Sequence, residues 1–352
     1  IPKSTTADIT AKALTITAKD QSVTYGTSIA TGTTQVTLSP ATLPGNDQLT
    51  GISLTPSTTD VTTSGTITPS KAEIKSGEAD VTSNYSITYE PGKLTITSAT
   101  FVDGDVKAEA YSGVYDGKAH TISLEAPEDA TVRYGTAKGS CNRDKAPTYT
   151  DVSTNTVYFV VTRPNYNPVK GSQTVTITKK ELTITAEAKS KVYGEADPTL
   201  TYKVEGLVEG ESLDGALTRD EGKDVGEYDI LQGTLKATDN YKVTYIGAKL
   251  SITRAPLTVK ADPKTKEAGE DDPALTYTYD KLVADDTEEV FSGSLTRIAG
   301  EEAGEYAIML GNLSAGDNYD ITFQGANLTI TAKESVKPEE PLYKIYVAES
   351  VG

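Results

Sequence analysis

"LTRDEGKDVGEYDILQGTLKATDNYKVTYIGAKLSIT" runs from Leu217 to Thr253, and "LTRIAGEEAGEYAIMLGNLSAGDNYDITFQGANLTIT" runs from Leu295 to Thr331. The two stretches align without a gap, 78 residues apart. Such self-similarity is the mark of a tandem array, in which one structural unit is written more than once. Working outward, the pair Asn-Tyr recurs at Asn84-Tyr85, Asn165-Tyr166, Asn240-Tyr241 and Asn318-Tyr319, with spacings of 81, 75 and 78. Each pair precedes a closing segment: "KLTIT" (Lys93 to Thr97), "TVTIT" (Thr174 to Thr178), "KLSIT" (Lys249 to Thr253) and "NLTIT" (Asn327 to Thr331). The openings repeat as well, in "LTITAKDQSVTYG" from Leu14, "LTITAEAKSKVYG" from Leu182 and "LTVKADPKTKEAG" from Leu257.

These marks predict four modules, at residues 9–97, 104–178, 181–253 and 256–331. The second departs most. It opens with "VKAEAYSGVYDGKAHTISL" from Val106 and lacks the "LTR…GEY" centre. Residues 332–352 read as a linker, with "LYKIYV" (Leu342 to Val347) alternating like one more strand.

Side-chain alternation defines the elements. Leu182, Ile184 and Ala186 alternate with Thr183 and Thr185, and Val157, Phe159 and Val161 alternate with their neighbours. A period of two puts one set on each face of a strand. No segment carries a helical period, and Gly300 and Gly304 interrupt the acidic run around Glu301. The reading is therefore all-β. It predicts four small β-sandwiches of immunoglobulin-like general form, with cores of Leu, Ile, Val and Tyr, since the chain has no Trp. The Tyr of each Asn-Tyr pair is expected to anchor a corner, ring inward and hydroxyl on a backbone group. Tyr228 and Tyr306, repeated in register, are read as core or corner residues. Gly226 and Gly304 before them are read as turn glycines with positive φ. Met309 is expected to fill the core. Short linkers predict a semi-rigid rod about 140–170 Å long, from sandwiches of about 35–45 Å each.

Composition narrows the function classes. The formal net charge of −17 argues against nucleic acid or an anionic membrane surface as partner. The charge is concentrated late: residues 256–331 hold five basic and fifteen acidic side chains. No apolar run is long enough for a spanning helix. One cysteine, Cys141, excludes an internal disulfide framework. His120 is the only histidine, so there is no histidine cluster for zinc and no histidine pair to relay protons. The sequence thus names no catalytic residue and no cofactor. The acidic clusters holding Asp271, Asp272, Asp285 and Asp286 are the nearest thing to a calcium site, but their spacing does not follow an alternating-ligand loop. Solvated acidic surface is the plainer reading. Asn84, Asn312 and Asn327 open glycosylation triplets, read as accidents of the repeat. A lysine-to-carboxamide or carboxylate crosslink would need a buried Lys, a partner and a nearby acid, which sequence cannot place.

The stretch from Leu182 to Thr253 resembles the MBG-type repeat family of bacterial surface proteins. Residues 257–331 resemble it too, although Ala268-Gly269 stands where the family has Tyr-Gly. The first module resembles a divergent member, and the second resembles a related bacterial immunoglobulin-like repeat. The resemblance implies an extracellular place, at a bacterial cell surface or wall, and a spacer role beside adhesive or enzymatic domains. It carries no catalytic motif. The partners expected are neighbouring domains of the same longer chain, and the chain is expected to be a monomer. The alternative expectation is a binding module for host protein or surface glycan, seated on the divergent second module or in a cleft between modules.

Overall fold

The computed structural model describes residues 9–283 and 285–334; the possible strand at 342–347 lies outside them. The chain divides into two compact units, Ile1–Lys179 and Lys180–Gly352. Each holds two pairs of sheets. Among the described residues there is no α-helix, only the 3-10 turns Thr33–Gln35, Thr82–Asn84 and Glu288–Val290.

In the first unit, strands β1 (Lys12–Ala18), β2 (Gln21–Thr24), β3 (Val36–Ser39), β4 (Asp47–Pro56), β5 (Thr62–Ser76), β6 (Ala79–Asp80), β7 (Tyr85–Glu90) and β8 (Gly92–Thr97) build one sandwich. Its sheets run β3-β1-β7 and β2-β8-β5-β4, with β6 beside β5. The second sandwich takes β9 (Lys107–Glu109), β10 (Tyr111–Val114), β11 (Ser123–Glu125), β12 (Thr131–Gly135), β13 (Ser153–Thr162) and β14 (Val169–Thr178). Its sheets run β10-β14-β13-β12 and β11-β9.

The second unit repeats one plan twice. Strands β15 (Lys180–Ala186), β16 (Lys189–Val192), β17 (Tyr202–Glu205), β18 (Thr218–Arg219), β19 (Gly226–Leu231), β20 (Tyr241–Ile246) and β21 (Ala248–Thr253) form sheets β17-β15-β20 and β16-β21-β19-β18. Strands β22 (Ala255–Ala261), β23 (Lys264–Glu267), β24 (Tyr277–Tyr279), β25 (Thr296–Arg297), β26 (Gly304–Met309), β27 (Tyr319–Gln324) and β28 (Ala326–Thr331) form β24-β22-β27 and β23-β28-β26-β25. Only Arg254 separates β21 from β22.

The alternation read from sequence is the alternation of burial. Leu14 and Ile16, Leu182 and Ile184, and Leu257 and Val259 are fully buried on the opening strands. They face Leu94 and Ile96, Leu250 and Ile252, and Leu328 and Ile330 on the closing strands. Each such side chain contributes about 1.5–3 kcal/mol when withdrawn from water.

Tyr85, Tyr241 and Tyr319 are buried, as an anchoring role requires. Their hydroxyls go beyond the backbone partner expected and donate to carboxylates: Asp47 at 2.7 Å, Glu211 at 2.5 Å and Asp286 at 2.8 Å. Tyr166 departs from the set. Asn165 before it takes φ 67°, and the Tyr166 ring is only half-buried, beside Tyr25 and Phe101. Met309 also departs: it is exposed, as is its counterpart Leu231, because both end their strands on the outer face.

Ile184→Ala is expected to lower the stability of its sandwich by about 2–5 kcal/mol, read from the urea midpoint. Loss of solvation raises the Tyr85 and Tyr319 phenols to about 12, with Asp47 and Asp286 adding to the effect. Because the folded state holds these protons more tightly, their stabilisation is complete below pH 10 and is lost as pH rises towards 12. Alkaline unfolding followed by far-UV circular dichroism is expected in that window. A Tyr85→Phe, Tyr319→Phe chain is expected to lose less stability across it.

Candidate functional site: strand clamps and module junctions

Each sandwich splits its opening strand between its two sheets. In three of them the first half pairs in parallel with the penultimate strand, β1 with β7, β15 with β20 and β22 with β27, whereas in the second β9 pairs antiparallel with β11. The second half pairs in parallel with the last: β2 with β8, β10 with β14, β16 with β21 and β23 with β28. At the end of each second ladder sits the closing Thr. Its carbonyl accepts the N–H of the residue opening the next turn: Tyr25 to Thr97 at 2.9 Å, Tyr115 to Thr178 at 2.9 Å, Tyr193 to Thr253 at 2.8 Å and Ala268 to Thr331 at 2.9 Å. Its hydroxyl donates back to the same strand, to the carbonyls of Val23, Gly113, Lys191 and Lys266 at 3.2–3.3 Å. The following glycines Gly26, Gly194 and Gly269 have φ of 85°, 84° and 87°, a left-handed conformation that a Cβ resists.

The "LTR…GEY" centre is an ion fork. Arg219 holds Asp197 through Nε at 2.7 Å and Nη2 at 3.2 Å, and Arg297 holds Asp272 at 2.6 and 2.9 Å. Nη1 of each donates to two loop carbonyls, those of Asp220 and Gly222 or of Ile298 and Gly300. Each guanidinium lies over a tyrosine ring, Tyr228 at 5.3 Å and Tyr306 at 5.6 Å, and those hydroxyls donate to the carbonyls of Asp224 and Glu302. Gly304 lies outside the positive-φ region, and Gly226, at φ 159°, lies at its edge. The glycines the ring demands are Gly222 and Gly300, where a Cβ would fall 2.0 and 1.9 Å from it.

Within each unit the sandwiches meet through an asparagine clip. Asn318 accepts the Val225 N–H at 2.9 Å and donates to Asp224 at 3.0 Å. Asn165 accepts the Val61 N–H at 3.0 Å and donates to Asp60 at 2.9 Å. An amide matches an Asp-Val pair because it offers one donor and one acceptor side by side. Beside each clip the Tyr-Gly tyrosine meets the Asn-Tyr tyrosine edge to face: Tyr25 with Tyr166 at 5.8 Å and 70°, and Tyr193 with Tyr319 at 5.7 Å and 77°. Asp286 accepts from both hydroxyls of the second pair, Tyr193 at 3.1 Å and Tyr319 at 2.8 Å. The role of these asparagines was not read from sequence. Their partners, the Asp-Val pairs at 60–61 and 224–225, are not singled out by sequence, because the same dipeptide also occurs at 80–81, 105–106 and 151–152.

The remaining candidate chemistry resolves into structure. His120 stacks on Tyr111 at 4.1 Å, and its Nε2 meets both the Tyr111 hydroxyl at 3.1 Å and Asp116 at 2.8 Å. Both partners address one ring nitrogen, whereas a relay needs one on each side. Cys141 is half-buried and unpaired in a disulfide. Asp272 is engaged by Arg297 and Lys266, and Asp286 by the two tyrosines. Asp271 and Asp285 do not join them, and among the described residues no group of three or more His, Cys, Asp or Glu is placed to hold a metal ion. Lys266 is buried between Asp272 and Glu301, each at 2.7 Å, which supplies the three groups of a crosslink. Those carboxylates raise its pKa and keep it a cation, while amide formation needs the neutral amine. Tyr277, Tyr279 and Phe291 pack on one another at 4.9–6.5 Å and are half-buried against the core.

The forks set the acid limit. Arg219 first, then Lys191, holds Asp197 at about 2, and Arg297 with Lys266 does the same for Asp272. A carboxylate lowered on folding stabilises above its unfolded value near 4, and that contribution is lost as pH falls through 2. Asp197→Asn, Asp272→Asn is expected to lower the urea midpoint at pH 7 and to flatten its decline between pH 4 and pH 2.

No curated protein matches the chain. Among solved structures, the titin I-band fragment I67–I69 is similar at 11% identity and a TM-score of 0.24, over 65% of this chain and 98% of that one. Mouse cadherin-23 EC22–24 is similar at 12% identity and 0.25, over 68% and 99%. The protocadherin gamma B4 extracellular domain is similar at 9% and 0.23, over 90% and 67%. At these TM-scores the likeness carries no argument about function. The family comparison is specific: the model of the MBG domain (YGX type) matches residues 182–251 and 257–329 in tandem, the stretches that hold both ion forks and one asparagine clip.

Proposed function

We propose that the chain is a load-bearing, non-catalytic spacer in the repeat region of a secreted or wall-attached bacterial surface protein, holding an adhesive or enzymatic domain away from the cell. The observation that carries this reading is the parallel pairing of opening and closing strands in all four sandwiches. Tension enters at the opening strand and leaves at the closing strand. In a parallel pair those pulls are opposed along the strand axis, so the ladder bonds are loaded together in shear. An antiparallel pair would open one bond at a time.

Other features agree. The exposed large hydrophobic side chains among the described residues are aliphatic, not aromatic, and are spread along the chain from Ile9 to Met309. A glycan- or protein-binding face would concentrate them. The tyrosines and phenylalanines of the fourth sandwich are packed rather than presented. No helix among the described residues is long and apolar enough to cross a membrane.

Pulling the whole chain by its ends in a force spectrometer tests the proposal. Four unfolding events are expected, each releasing about 200–280 Å, from about 3.3–3.6 Å per residue over some 75–90 residues less the folded length. Ala268→Pro with Thr331→Val, which deletes both clamp bonds of the fourth sandwich, is expected to weaken one event and leave three. Sandwiches that yield without measurable resistance, or a double variant with four unchanged peaks, would remove the load-bearing reading.

A further inference from the structure

We infer that the leading face of the first sandwich is a docking site for the end of another module of the same type, one that presents a Tyr-Gly turn and an Asp-Val pair. The face repeats, group for group, the receiving side of the junction between the third and fourth sandwiches. Asn84 holds the place of Asn318, Tyr85 that of Tyr319 and Asp47 that of Asp286. These three residues line one cleft with Ala11 and Lys12. Asn84 is exposed, and among the described residues its side chain makes no hydrogen bond. Asn165 and Asn318, each clipped to an Asp-Val pair, are half-buried. Asp47 accepts from the tyrosine of its own sandwich at 2.7 Å, whereas Asp286 accepts from its own and from the preceding one.

The chemistry specifies the occupant. The Asn84 amide offers a donor for an Asp carboxylate and an acceptor for the next N–H. Asp47 offers an acceptor for a phenol beside the Tyr85 ring. A module end carrying Tyr-Gly and Asp-Val, as the third sandwich does with Tyr193, Asp224 and Val225, satisfies all three groups. A second copy of this chain is a poor occupant. Its last sandwich has Ala268 in place of the tyrosine and Glu302-Ala303 in place of Asp-Val. The face therefore selects for a particular module end and against head-to-tail assembly of the chain with itself.

The experiment extends the chain. A copy of residues 181–253 replaces residues 1–10, so that Ala11 alone stands before Lys12, as Arg254 stands before Ala255. With isotope label confined to the copy, the exchange rate of its Val225 N–H is measured by NMR. Exchange about tenfold faster in the Asn84→Ala version is expected, the loss of one hydrogen bond of ordinary strength. Equal rates in the two chains would overturn the proposal. A second readout, in a Cys141→Ser background, pairs Asn84→Cys with Asp224→Cys of the copy. The control in the same chain is Asn165→Cys with Asp60→Cys. Disulfide closure in both is expected; closure in the control alone would count against the face. Self-association of the unextended chain that Asn84→Ala abolishes would assign the face to a second copy and overturn the choice of occupant.

Discussion

The parallel pairing of the opening strand with the last strand in every sandwich, and with the penultimate strand as well in the first, third and fourth, is the constraint from which the rest of the architecture follows. A strand that starts beside the penultimate strand and then moves beside the last one ties both sheets to both ends of the sandwich. It also delivers the Tyr-Gly turn to the far end, at the closing Thr. That placement brings the Tyr193 ring to Tyr319 and the Tyr25 ring to Tyr166. The junction is thus a consequence of the clamp. If the opening strand stayed in one sheet, the turn would not reach the next sandwich.

The ion forks show how a thin module compensates for a small core. With 36% apolar residues, each sandwich encloses only a narrow layer of Leu, Ile and Val. The six-residue loop before β19 or β26 adds no fully buried side chain to that layer. Arg219 and Arg297 fasten it instead, bonding two loop carbonyls and an aspartate while lying over a tyrosine face. Such bidentate, charge-assisted contacts suit Arg and would not survive replacement by Lys. No buried side-chain nitrogen or oxygen among the described residues lacks a partner, so this polar fastening carries no unsatisfied group.

Two of the four acidic residues that raised the question of a calcium site act as acceptors for the protein's own donors. Asp272 serves Arg297 and Lys266, and Asp286 serves two tyrosines. The divergence of the second module has a structural correlate. With Tyr166 outside the core and Asn165 in a left-handed turn, that sandwich gives its Asn-Tyr pair wholly to the junction. The fourth diverges at its other end, where Ala268 and Glu302-Ala303 stand in place of the tyrosine and the Asp-Val pair.

Sequence alone determined the strands, the core and the repeat, because these depend on alternation between neighbours and on copies that align. Leu182 and Ile184 are buried for a reason visible within five residues. Only the tertiary structure decided what the polar repeat marks do. Asn165 meets Asp60 across more than a hundred residues of chain, and Asn318 meets Asp224 across more than ninety. Amide, carboxylate and phenol have no periodicity to betray their partners, since each is satisfied by any correctly placed donor or acceptor. The same limit explains Met309 and Gly304. The sequence identified where each recurs, while burial and φ depended on which face and which ring lay beside them once the sheets had closed.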